Sequence, residues 1–139
     1  MKRIIALYGH QNCGKTRTMN ILRELIRGMV EGHEPYPTED RHDREAFSYQ
    51  NEVICLCPDG DTWNIEEQNF MFADDAETTI LIIPSRTKGG SVEYIEKQEQ
   101  TLGLKADWVP KSYEYNLCQD TLELCNRETA KVLFDKLRI

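Results

Sequence analysis

The chain has no long apolar run. The longest stretches, such as Ile80-Leu81-Ile82-Ile83, are far too short to span a bilayer, so no membrane contact is expected. No export signal is expected: the basic start Lys2-Arg3 leads into an apolar stretch of only Ile4 to Tyr8, and Lys15 follows closely. There is no internal repeat, low-complexity segment or linker. No basic stripe is present, and the net charge of −7 makes binding to nucleic-acid phosphates a poor expectation. The five cysteines, at positions 13, 55, 57, 118 and 125, show no CxxC or Cys/His metal spacing. They read as reduced thiols of a cytoplasmic protein. Cys55 and Cys57 are expected on opposite sheet faces, and Cys13 is read as incidental.

The chain does have the composition of one folded domain, residues 1–139, with 40% hydrophobic and 29% charged residues. A chain of this length buries a core without disulfides. Its charge is uneven. Residues 1–30 hold six Lys/Arg against one Glu, whereas residues 31–80 hold two against fourteen acids. The positive first segment suits a small anion.

Periodicity sets the order of elements. Lys2–Tyr8 is a short apolar strand ending at Gly9. From Thr16 the period changes: Met19, Leu22, Leu25, Ile26, Met29 and Val30 recur at helical steps, and Gly32, Pro35 and Pro37 end the helix. Val53–Cys57 and Thr78–Pro84 are unalternating apolar runs, the pattern of strands buried on both faces of a parallel sheet. Helices are expected at about Thr62–Ala73 and Ser91–Leu102, the second closed by Gly103. A strand near Asp107–Tyr115 is expected at a sheet edge because Pro110 interrupts it. A last helix from Asp120, with Glu123 as capping-box partner, would bury Leu122, Cys125, Val132, Leu133 and Leu137. Strands and helices therefore alternate, which predicts an α/β fold with helices on both faces of a small, mostly parallel sheet of about four to five strands. Residues 33–51 lack periodicity, and a connection of that length is often functional or carries a further short element.

The segment Gly9-His10-Gln11-Asn12-Cys13-Gly14-Lys15-Thr16 matches G-x-x-x-x-G-K-[ST]. Gly9 turns the chain off the strand, and Gly14 lets the backbone approach a ligand closely. Backbone N–H groups of the loop, and the helix N-terminus that follows, face an anion. At average residue usage the pattern arises by chance in roughly 0.5% of chains this long, and the strand-loop-helix setting lowers that further.

On these residues the chain resembles the P-loop NTPase superfamily. The likeness is strong over residues 3–30, and beyond them only the β/α order agrees. It implies a three-layer α/β/α P-loop fold and a nucleoside triphosphate bound with Mg²⁺. Residues Gly9 to Arg17 would hold the nucleotide, Lys15 would reach the β- and γ-phosphates, and Thr16 would offer its hydroxyl to the metal. Asn12 stands where some GTPases carry Asn, but there is no NKxD motif to read guanine. No base-reading motif is present, so ATP is expected as the general prior for such a loop and not from a residue, and another nucleoside triphosphate stays open. In size the chain resembles small nucleotide or metabolite kinases, and minimal ATP-binding proteins equally well. The expectation is an ATP- and Mg²⁺-dependent phosphotransferase or NTPase acting on an unidentified small-molecule acceptor. The alternative is a nucleotide-dependent switch or accessory subunit acting on a protein partner.

Such sites carry a second acid near the metal. The Thr78–Pro84 strand ends without one, whereas Val53–Cys57 leads into Pro58-Asp59-Gly60-Asp61. Asp61 is the first choice as metal ligand and Asp59 the second; the alternative is a simple Asp-Gly turn with a helix cap. Arg86, in Ser85-Arg86-Thr87-Lys88-Gly89-Gly90, is the candidate clamp on the transferred group, against a reading of the loop as a solvated turn. His33, Tyr36, Arg41, His42, Asp43, Arg44 and Tyr49 read first as a charged surface loop and second as a flap over an acceptor.

Overall fold

The computed structural model describes residues 1–31, 39–111 and 119–137. The apolar run Arg3–Tyr8 forms strand β1, with Ile4, Ile5, Ala6 and Leu7 all buried. Only an interior strand buries consecutive side chains in this way, because alternate residues face opposite sides. β1 pairs in parallel with β4 (Ile80–Ser85) on one side and with β5 (Asp107–Pro110) on the other. β3 (Glu52–Leu56) lies parallel to the far side of β4. β2 (Glu45–Tyr49) runs antiparallel to β3, so the sheet order is β2-β3-β4-β1-β5.

β2 is the short element hidden in the non-periodic segment. It joins β3 through Gln50 and Asn51, both left-handed at φ 47° and 66°, the two-residue turn that matches the twist of a hairpin. Of its five residues only Phe47 is buried, so no apolar run announces it. β5 is an edge strand, as Pro110 requires. Residues 112–118, including the expected end of that strand and Cys118, lie outside the described residues.

Among the described residues, four helices cover the sheet. α1 (Lys15–Glu31) and α4 (Gln119–Leu137) pack on the face that carries Ile5, Leu7, Ile54, Leu56 and Ile82. α2 (Trp63–Asp75) and α3 (Gly90–Leu102) pack on the other, against Ile4, Ala6, Leu81 and Ile83. The result is an α/β domain with helices on both sides of a five-stranded, mostly parallel sheet. No helix among the described residues is long and apolar enough to cross a membrane.

Two expectations change here. Cys55 and Cys57 share one face, with sulfurs 3.9 Å apart, because residues two apart in a strand point the same way. The hydrogen bond to Cys55, together with burial, pushes the Cys57 thiol up, so it stays protonated. On α4 the buried stripe is Asn126, Ala130, Leu133 and Leu137, the spacing of one helix face, while Val132 is 47% exposed and Leu122 and Cys125 are half-buried. A polar residue occupies one of the four inward positions, which a search for apolar periodicity passes over.

Candidate functional site

The loop 9–14 leaves β1 at the carboxyl edge of the sheet. Gly9 N–H still donates to Ser85 O at 3.1 Å, and Lys111 N–H donates to Tyr8 O at 2.8 Å, so the chain is held on both sides until it turns. A Cβ on Gly9 would lie 2.7 Å from Cys13 Sγ; the loop folds on itself in the space a side chain would take. Cys13 is buried there as the loop's inner packing residue. Asn12 and Gly14 are left-handed, at φ 62° and 96°. Gly14 is required twice over, since a Cβ would also meet Asn126 Oδ1 at 2.4 Å.

Lys15 opens α1, yet its side chain is 6% exposed. Its ammonium donates to the carbonyls of Gly9 and His10, both at 2.8 Å, which places the charge inside the curl of the loop. Those carbonyls take two of its three N–H donors, and the third lies toward Cys13 Sγ at 4.0 Å, a weak acceptor. Thr18 N–H and Oγ1 both bond back to Gly14 O, fixing the first turn. Thr16 Oγ1 donates to Asp59 Oδ1 at 3.5 Å. Arg17 is held by Glu123 at 3.0 Å and Asp40 at 3.4 Å, and the bond to Glu123 raises its pKa. Glu123 therefore braces α4 against the loop helix, whereas the sequence suggested a helix cap.

The two acids of the Asp59-Gly60-Asp61 turn divide their contacts. Asp59 faces Thr16, and its carboxylate meets His42 Nδ1 at 2.9 Å. Asp61 pairs with Arg86 Nε at 3.6 Å. A cavity of about 290 Å³ above the loop is lined by Asn12, Gly14, Lys15, Thr16, Arg17, Asp40 and Asp61. The structure thus gathers Lys15, Thr16, Arg17, Asp59, Asp61 and Arg86, from three segments, at one sheet edge. Asp59 is the acid in contact with Thr16, although Asp61 was the first choice from sequence.

The turn is tightly supported from below. Gly60 sits so close to β4 that a Cβ would lie 2.1 Å from Pro84 O. Asn69 Nδ2 donates to Asp59 O at 2.8 Å and to Glu66 Oε1 at 2.7 Å, while Asn69 Oδ1 accepts from Arg44 Nε at 2.7 Å. Glu66 is fully buried, its Oε2 has no hydrogen-bond partner among the described residues, and burial pushes its carboxyl up to about 9. It is a neutral acid under the turn at ordinary pH.

Segment 40–45 is strapped across the same edge. Asn20 clamps the Arg41 backbone in both directions, at 3.0 Å each, and also donates to Thr16 O at 2.9 Å. Buried Arg23 donates to Glu45 and to Asp43 O. Arg44 and Arg41 are committed to Asn69 and Asp43, so as placed they hold the strap and do not face an acceptor. His33 and Tyr36 lie outside the described residues.

Sequence reasoning missed Asn126, Lys111, Asn20, Asn69 and Glu66. Lys111 is 6% exposed beside Gly9 and near Cys13, and burial lowers its ammonium pKa. All but Asn20, which lies in α1 directly after the loop, are remote from the loop in sequence. The one available signal was a polar residue on an otherwise apolar face, as at Asn126 and Glu66. Comparison with protein-family models, curated proteins and solved structures finds no match.

Proposed function

We propose that this chain is a P-loop nucleotide-binding protein that takes ATP with Mg²⁺ and acts as a phosphotransferase or NTPase. The observation that carries the reading is the buried Lys15 ammonium, held inside the 9–14 curl by two backbone carbonyls at the start of a helix. A cation held at a helix N-terminus in a loop with two left-handed residues is suited to a polyphosphate.

Thr16 and Asp59 supply hard oxygen donors that face each other, which fits Mg²⁺ held by one or two side chains together with phosphate oxygens. Among the described residues no group of three or more His, Cys, Asp or Glu is placed to hold a metal, so this fit rests on the ion arriving with nucleotide. When bound, Mg²⁺ supplies charge neutralisation at the phosphates. The chain's own residues do the rest. Lys15 offsets phosphate charge, Arg17 and Asn12 shape the cavity, and Arg86 stands over its rim through Asp61. Catalysis of this kind is mostly positioning and electrostatics.

The second reading, a nucleotide-dependent switch, is favoured by one contact. His42 of the 40–45 strap pairs with Asp59, so an ion at Asp59 would compete with the strap for the same carboxylate. Turnover separates the two readings. Titration with ATP, with and without Mg²⁺, followed by phosphate release with the best binder, tests binding first and chemistry second.

A further inference from the structure

On the far side of Arg86 from the loop cavity lies a groove of about 430 Å³, between α3 and the edge strand β5. Tyr8, Trp108, Val92 and Arg86 line it, with Glu96 and Lys105 further along. Tyr8 and Trp108 are half-buried and meet edge-on with ring centroids 6.0 Å apart, leaving an aromatic wall. Tyr8 is the residue immediately before Gly9, so this wall begins where the phosphate loop begins.

The charges are ordered along the groove. Arg86 follows β4 and Val92 lies in the first turn of α3, both at the sheet edge that carries the loop. Glu96 and Glu99 follow at helical steps on the same side as Val92, about 6 and 10 Å along the helix toward the far end. Glu99 is already used, accepting Ala106 N–H at 2.7 Å and closing that end. Arg86 is lightly held among the described residues: its Nε faces Asp61 at 3.6 Å, too far for a hydrogen bond, and no described residue accepts from that nitrogen. A guanidinium with spare donors, next to two aromatic rings in a groove of small-molecule size, recognises a flat anion.

We propose that this groove is a second ligand site, which takes a small planar ring bearing one carboxylate or phosphate. The ring lies against Tyr8, Trp108 and Val92, and the anion meets Arg86. An anion there competes with Asp61 for the guanidinium and frees Asp61 toward the loop cavity, so the two sites are coupled. Binding to the groove stands on its own geometry; only its role as the place of a phosphoryl acceptor rests on the nucleotide reading.

The test uses the full chain carrying Trp63→Phe, which leaves Trp108 as the single indole. Phenyl phosphate, benzoate, benzyl alcohol and inorganic phosphate are titrated without nucleotide, by fluorescence and in parallel by calorimetry. The proposal expects saturable binding of phenyl phosphate or benzoate, the stronger of the two naming the anion, and at least about tenfold weaker binding of the alcohol and of inorganic phosphate. Arg86→Ala should weaken the aromatic anion about tenfold, and so should Thr87→Glu, an exposed change that leaves packing alone. Lys15→Ala should leave it intact. No binding of either aromatic anion up to about 10 mM, equal binding of inorganic phosphate, or indifference to both Arg86→Ala and Thr87→Glu overturns the proposal. Failure of Mg²⁺-ATP to bind the same protein overturns the nucleotide reading and leaves this one standing.

Discussion

Thr16 Oγ1 and Asp59 Oδ1 face each other at 3.5 Å, one from the first turn of α1 and the other from the turn after β3. If this pair holds the metal, Asp59→Asn should weaken Mg²⁺-ATP by about tenfold or more, the scale of a charged ligand contact, with little effect on metal-free ATP. Asp61→Asn should do less, since Asp61 meets Arg86. Calorimetric titration with and without Mg²⁺ measures both. Magnesium dependence in Asp59→Asn equal to wild type would leave Asp59 as a mere partner of His42.

Glu66 gives a pH prediction. Its carboxyl is pushed up to about 9 by burial, from an ordinary 4.5. Below pH 4.5 it is protonated in both folded and unfolded chains and has no effect. Above that, the unfolded chain ionises while the folded one does not, so stability falls as pH rises until about 9. Glu66→Gln mimics the neutral acid and removes that loss. The variant should match wild type near pH 4.5 and exceed it at pH 7 by roughly 3 kcal/mol. Urea unfolding across the pH range reads the difference, and a constant offset at all pH values would refute it.

Gly60 gives a packing prediction. A Cβ there would lie 2.1 Å from the Pro84 carbonyl, a backbone atom of an interior strand that has no room to move. Gly60→Ala should cost about 2 kcal/mol or more and should also weaken Mg²⁺-ATP by displacing Asp59. Gly103→Ala is the control. That helix cap is left-handed but has nothing within 4 Å, so only the φ cost of about 1 kcal/mol applies. Equal losses in the two variants would show that close approach to β4 does not decide the matter.

The sequence made legible what local chemistry determines. The loop, β1 and α1 follow from a G-x-x-x-x-G-K-[ST] pattern between a two-sided apolar run and an amphipathic stripe. Gly103 closes α3 in the left-handed region, as a glycine there suggests. β2 was illegible because Glu45-Ala46-Phe47-Ser48-Tyr49 buries one side chain, and because its turn uses Gln50 and Asn51 with no glycine. The contact of Asp59 with Thr16 was illegible for another reason. Asp59 and Asp61 are equivalent in a one-dimensional pattern. Only the chain's path, with Asn69 holding the Asp59 carbonyl and Gly60 against Pro84, turns one toward Thr16 and the other toward Arg86. Asn126 and Glu66 escaped notice because polar residues on buried faces break the periodicity used to find those faces.

The central claim is that the 9–16 loop binds a triphosphate through Lys15. Thermal unfolding of wild type and Lys15→Ala, each with and without saturating Mg²⁺-ATP, tests it most directly. A ligand at a hundred times its Kd adds about 2.7 kcal/mol, which is several degrees for a chain of this size. Lys15 faces the loop interior, where its ammonium bonds to two backbone carbonyls and meets the Cys13 sulfur at 4.0 Å, so the variant should fold. The account predicts a rise of several degrees for wild type and none for Lys15→Ala. An equal rise in both proteins, or no rise in wild type with any nucleoside triphosphate, would contradict it.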